Sequence, residues 1–250
     1  MKRRNRERFA HVLVWDQGNF RTQNEDVVYI RSVLTKAGIC NVYAICDGMG
    51  GCENGGAASK LCVARIDEWV EEKLIPILKV SRRKPYLRKQ LIRSSGLHLF
   101  KEMNEELFRL GRRNQSEYGT TALVCVMFRK QYYLLHIGDC YAFRMRKTIR
   151  QLTKVHRTDG HVVTRCLGMN RDGVADFVCG TIRKRDSFLL CSDGFIADKP
   201  KQYFEELMCV TNKDRNHAQY ETRLKGHTKR LEKLGRTDNI SAICIWKENS

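Results

Sequence analysis

Proline is scarce in this chain of 250 residues, which has only 3, and no Pro/Gly/Ser-rich stretch or repeat interrupts it. No boundary between separate domains is therefore marked, and a linker-dominated or disordered chain is excluded. Long apolar runs are missing too: none approaches the ~20 residues that span a bilayer. The start is basic, but the apolar stretch after it, Phe9 to Trp15, contains His11 and stops at Asp16, so no signal peptide is expected. The 11 cysteines include no C-x-x-C pair, which excludes a zinc ribbon, and their odd number speaks against a disulfide framework. Most lie inside apolar runs, among them Cys46, Cys125, Cys179, Cys191 and Cys244, as thiols packed in a reducing cytoplasm do.

Acidic residues are outnumbered. Forty-six Lys and Arg against 28 Asp and Glu give a net charge of +18, which favours acidic partners. The basic residues gather at Lys2 to Arg8, Lys79 to Arg93 and Arg144 to Arg157, with no aromatics interleaved as nucleic-acid stacking platforms would need. They read as a tail over residues 1–9 and as solvated faces of one domain over 10–250.

Short β-branched or aromatic runs bounded by polar turns predict strands at Ala10 to Trp15, Val27 to Ile30 and Val42 to Cys46. The period then changes to that of helices, over Asn54 to Lys79 and again through Leu91, Leu99, Met103, Leu107 and Leu110. Ala122 to Phe128 and Tyr132 to Ile137, three residues apart, predict an antiparallel hairpin. Further strands are expected at Tyr141 to Met145, Ile149 to Leu152, Asp176 to Thr181, Phe188 to Cys191 and Ile240 to Trp246, with helices over Pro200 to Met208 and Asn216 to Leu234. Strands in two blocks with helices inserted predict an α+β fold: two antiparallel β-sheets packed face to face and flanked by helices, a four-layer αββα sandwich.

The carboxylates fall at the ends of these runs. Val42 to Cys46 ends in Asp47-Gly48, Leu134 to Ile137 in Gly138-Asp139, and Phe188 to Ser192 in Asp193-Gly194, while Asp26 and Asp238 come just before strands. Asp-Gly is an ordinary turn dipeptide, but in an antiparallel sheet the end of one strand lies beside the start of its neighbour, so all five can converge. Carboxylates gathered in a dry site repel one another unless cations neutralise them, and an all-oxygen set selects hard ions such as Mg²⁺ or Mn²⁺. Two such ions activate water at neutral pH and clamp a phosphoryl group, for which a nearby guanidinium, Arg21, is a natural partner.

Asp16-x-Gly18-x-x-Arg21-x-x-Asn24-Glu25-Asp26, Asp47-Gly48-Met49-Gly50-Gly51, Gly119-Thr120-Thr121, Gly138-Asp139, Gln151-Leu152-Thr153, Leu190 to Gly194 and Asp238-Asn239-Ile240-Ser241 resemble, in order, the motifs of the metal-dependent serine/threonine protein phosphatases of the PPM type (type 2C), above all their bacterial branch. The resemblance runs over residues 10 to 247 and implies that family's fold and activity. It implies hydrolysis of phosphoserine and phosphothreonine in proteins by attack of a hydroxide bridging two Mn²⁺ or Mg²⁺ ions. By position, Asp47 is similar to the carboxylate bridging both ions, Gly48 to the carbonyl ligand, and Asp193 and Asp238 to the remaining ligands. Glu25 and Asp26 would hold metal-bound waters or orient the ligands, Asp139 would serve a weaker third site, and Arg21 would bind the phosphate. The implied partners are phosphorylated proteins of a cognate kinase, met by a monomer in the cytoplasm, with no membrane or specific nucleic acid.

The chain departs from the family at three places. Met49 stands where some relatives have a His, Cys140-Tyr141 follows Gly138-Asp139 in place of Ser-Arg, and only seven residues separate His156 from Thr164, where many bacterial members insert a longer flap. The shortened flap and altered turn motivate an alternative, a non-catalytic phosphoprotein-binding module on the same fold; the charge alone motivates a weaker one, a nucleic-acid-binding protein. His136, inside a strand, reads as a core histidine, and His156 and His161 as residues of the shortened flap.

Overall fold

The computed structural model describes residues 8–158, 162–169, 173–196 and 217–248. The helix expected over Pro200 to Met208 lies outside them, as do Asp159 and His161. Among the described residues, ten strands form two five-stranded antiparallel sheets. The first has the order β1 (Phe9–Asp16), β10 (Ile240–Lys247), β9 (Ser187–Cys191), β6 (Tyr141–Met145), β7 (Ile149–Gln151). The second has β2 (Val27–Thr35), β3 (Gly38–Cys46), β4 (Ala122–Phe128), β5 (Gln131–Ile137), β8 (Asp176–Thr181).

Period-two alternation builds the layers. Along β4, Leu123, Cys125 and Met127 face the other sheet and meet Ile243, Ile245, Phe188 and Leu190. Ala122, Val124, Val126 and Phe128 face outward, against α1 (Gly55–Trp69) and α3 (Pro85–Asn114) through Ile66, Leu99, Phe100 and Met103. On the opposite side, Ala242, Cys244 and Trp246 of β10 pack against Tyr220, Leu224 and Leu231 of α4 (His217–Lys233). Both faces of the central strands are dry, which is why β4 and β5 read as near-continuous apolar runs, each fully buried Leu, Ile or Phe contributing ~1.5–3 kcal/mol. The four-layer α+β sandwich of the sequence analysis is the observed fold.

Two differences have local causes. The first helix is not continuous: a π-helical turn, Val70–Leu74, separates α1 from α2 (Ile75–Val80). Pro76 has no N–H to give to the preceding turn and its ring crowds that turn's carbonyl, and the wider turn precedes it. The second and third strands are longer than their apolar runs, extending to a two-residue turn at Lys36 and Ala37. The polar residues there are paired: Arg31 bonds Asp67 and Glu71 near the end of α1, and Ser32 Oγ lies 2.7 Å from Asn41 Oδ1.

Candidate active site

Strand register delivers the acids to one place. Val27 lies opposite Cys46, so Asp26 entering β2 and Asp47 leaving β3 are neighbours. Ala122 lies opposite Ile137, which brings Asp139 beside the start of β4. In the other sheet Ala242 pairs with Cys191, which sets Asp193 beside Asp238. Asp193 opens a 3₁₀ turn, Asp193–Phe195, whose Gly194 packs so close that a Cβ would strike the Asn239 carbonyl oxygen.

Side chains lock these ends. Thr121 Oγ1 accepts the Asp47 N–H at 3.1 Å, while the Asp47 carbonyl accepts the Thr121 N–H at 2.8 Å and the Thr120 hydroxyl at 3.0 Å. Gly48 N–H donates to the Glu25 carbonyl at 3.3 Å, and a Cβ at Gly48 would collide with Gly55. The two sheets are tied by Ser192, whose hydroxyl donates to Asp26 Oδ2 at 3.0 Å. Buried Asn239 accepts the Glu25 N–H at 2.9 Å and donates to the Gln17 and Gln23 carbonyls, which bracket the loop that carries Arg21. Trp15 Nε1 holds the Asp26 carbonyl at 2.8 Å. Arg21 Nη2 lies 2.9 Å from Asp238 Oδ1, and its guanidinium fills the space that a side chain at Gly50 would occupy.

The electrostatics are those of crowded, dry carboxylates. Burial, followed by the charges of Asp26, Asp193, Asp139 and Asp238, pushes the Asp47 carboxyl well above its usual range. Burial raises Asp26 to about 6, against hydrogen bonds that favour its charged form. Burial and Asp193 raise Asp139 to about 7, and burial and Asp238 raise Asp193. Asp26 Oδ1 is buried without a hydrogen-bond partner. An orphaned carboxylate oxygen among mutually repelling acids, with no soft donor in the set, fits hard divalent cations.

Of the site residues expected from the sequence, Asp26, Asp47, Asp139, Asp193 and Asp238 are near enough to act on one another electrostatically, Glu25 and Gly48 share a backbone bond, and Arg21 is paired with Asp238; among the described residues these acids form no group of three with ligand oxygens within 4.8 Å of one another. What motif reading left without a role are the residues that fix them, Thr121, Ser192, Asn239 and Trp15. Ser192 and Asn239 adjoin the acids in the sequence, which was the available signal.

A second cluster, His136, His156 and Asp176, has ligand atoms within 4.8 Å of one another. His156 Nδ1 already accepts the Gly138 N–H at 3.0 Å, so in the neutral ring the proton is on Nε2, which faces Asp176 Oδ2 at 3.1 Å. A metal at Nε2 would force a second proton-bearing nitrogen against the Gly138 N–H. His156 and Asp176 are therefore a hydrogen-bonded support for the turn before Asp139, with the His136 ring stacked on that of His156.

Residues 22–233 match the family described as Protein phosphatase 2C. That stretch contains Glu25, Asp26, Asp47, Gly48, Asp139 and Asp193; Arg21 and Asp238 lie just outside it. The serine/threonine phosphatase Stp of Listeria welshimeri is 24% identical over 216 residues, covering 77% of this chain and 80% of that protein. Among solved structures, the catalytic domain of the serine/threonine protein phosphatase PstP in complex with two manganese ions is 21% identical, with a TM-score of 0.70, covering 96% of this chain and 99% of that one. Stp1 from Staphylococcus aureus is 19% identical, with a TM-score of 0.73, covering 97% of this chain and 96% of that one. These two structures bear on the fold, which is the same; the match over residues 22–233 bears on kinship, and by it the chain belongs to the protein phosphatase 2C family of metal-dependent protein phosphatases.

Proposed function

We propose that this protein removes phosphate from phosphoserine and phosphothreonine in proteins, with Asp47, Asp193, Asp238 and the Gly48 carbonyl holding two Mn²⁺ or Mg²⁺ ions. The observation that carries the reading is the cup of electrostatically coupled carboxylates in which Asp26 Oδ1 is left unpartnered. Bound there, hard cations lower the pKa of water and neutralise phosphoryl charge. The protein's own groups do the rest. Arg21 gives one Nη to Asp238 and keeps its other donors for phosphate oxygens, so the ion pair orients the fork for the incoming anion. Glu25 and Asp26 orient the ligands and their waters, and Asp139 serves a weaker third ion. Met49 offers no proton, so the leaving oxygen takes its proton from solvent in the cup rather than from that side chain.

The alternative of a non-catalytic module requires a broken acidic set, and the set is complete. The all-thiol character of the described cysteines supports substrates in a reducing cytoplasm, where a serine/threonine kinase opposes this activity and the protein acts as a monomer. No described helix is long and apolar enough to cross a membrane.

Turnover of p-nitrophenyl phosphate and of a phosphothreonine peptide is expected to require Mn²⁺ or Mg²⁺ and to stop with EDTA. Asp47→Asn is expected to lower it at least ~100-fold, because residues standing behind metal ligands already account for ~10–100-fold. Turnover that survives EDTA would defeat the assignment.

A further inference from the structure

The chain leaving β7 passes beside the turn that carries Asp139, and His156 grips that turn twice. Its backbone N–H donates to the Gly138 carbonyl at 2.8 Å, and its Nδ1 accepts the Gly138 N–H at 3.0 Å. Asp176, on the far side of the ring, is itself held by Arg165 at 3.0 Å. The next residue, Arg157, is thus anchored next to Asp139 through its neighbour, and its own backbone bridges to Val163. The Arg157 guanidinium carbon stands 5.6 Å from the centroid of the Tyr141 ring, two residues beyond Asp139. Its charge acts on Asp139, Asp193 and the Tyr141 phenol, favouring the ionised form of each.

Arg157 nevertheless makes no ion pair among the described residues, whereas Arg21 is bonded to Asp238. A guanidinium resting one face on an aromatic ring keeps its in-plane N–H donors free, and those donors match the paired oxygens of a phosphoryl or carboxylate group. We propose that Arg157 is a second anion-binding residue of the active site, taking an oxyanion of the phosphosubstrate on the Asp139 and Asp193 side while Arg21 serves the Asp238 side. This rests on the phosphatase reading above. The oxyanion is a phosphoryl oxygen or the carboxylate of a residue next to the phosphorylated one.

Wild type, Arg157→Lys and Arg157→Ala, loaded with Mn²⁺, are compared on p-nitrophenyl phosphate and on two phosphothreonine peptides that differ only in Asp or Asn beside the phosphoresidue. Arg157→Ala is expected to raise KM about tenfold or more, the scale of one charge-assisted hydrogen bond, with kcat changed far less. Arg157→Lys, which keeps the charge and guards against a misfolded Ala variant, is expected to recover part of the loss. Mn²⁺ affinity, read by electron paramagnetic resonance without substrate, is expected to change far less than KM. A KM rise on all three substrates places the contact on the phosphoryl group; a rise confined to the Asp peptide places it on the carboxylate. Unchanged KM on every substrate overturns the proposal, as does a loss confined to kcat or a fall in Mn²⁺ affinity that parallels KM. Wild type without metal-dependent turnover defeats the phosphatase reading instead.

Discussion

His136 lies on β5, 2% exposed, with neither ring nitrogen bonded and its ring stacked 5.0 Å from that of His156. Burial, then the neighbouring His156, lowers its pKa to about 3. The sign of its contribution follows. In the unfolded chain His136 takes up a proton as pH falls through about 6.5, but in the folded chain it stays neutral until about 3, so the unfolded state binds more protons across that window. Stability is lost as pH falls through it, at up to ~1.4 kcal/mol per pH unit. His136→Gln cannot titrate, so its stability relative to wild type is expected to rise steadily between pH 6.5 and 4.5 in urea denaturation. A difference independent of pH would mean that the folded chain lets His136 ionise freely.

The elements matter through their ends. Asp193 and Asp238 come from β9 and β10, and their approach depends on Gly194, where a Cβ would meet the backbone carbonyl of Asn239. Backbone cannot rotate aside as a flexible side chain can. Gly194→Ala is expected to lower stability by ~1–3 kcal/mol, the usual range for overpacking, and to weaken Mn²⁺ binding, measured by thermal melting and Mn²⁺ titration of the same preparation. Wild-type Mn²⁺ affinity in a destabilised Gly194→Ala would show that the close approach supports the fold and not the site.

The same strand ends mark how far the sequence could be read. Asp47, Asp139 and Asp193 were visible beside a Gly after an apolar run and Asp26 and Asp238 just before one, and the unbroken apolar run of β4 is what a strand covered on both faces requires. The extensions of β2 and β3 were hidden because Arg31, Ser32 and Asn41 look like turn residues until their partners across the fold are known. The π turn was hidden because Pro76 marks a disturbed helix without saying how the turn before it adapts. Asn239 and Ser192 were legible as motif letters, but their bonds to Glu25 and Asp26 cross 214 and 166 residues, a separation no local pattern encodes.

Over the whole molecule, charge is divided unequally: the chain carries +18, yet one site concentrates carboxyls that burial and mutual charge push toward their protonated forms. Folding these carboxyls together costs stability at neutral pH, whether they keep protons that the unfolded chain would release or ionise side by side. A cation that binds the native site and not the unfolded chain adds ~2.7 kcal/mol at a concentration of 100 times its Kd, which raises the melting temperature of a protein this size by several degrees. Mn²⁺ is expected to produce such a rise over EDTA-treated wild type. Asp47→Asn removes the carboxylate on which four others act, so in EDTA it is expected to melt at or above wild type while losing the rise with Mn²⁺. The two halves are independent: loss of the Mn²⁺ effect alone is consistent with any damaged site, whereas higher metal-free stability together with that loss requires that the Asp47 carboxyl be crowded and placed to serve an ion. Asp47→Asn melting well below wild type in EDTA, with the Mn²⁺ shift retained, would show that the cup is a structural polar cluster instead.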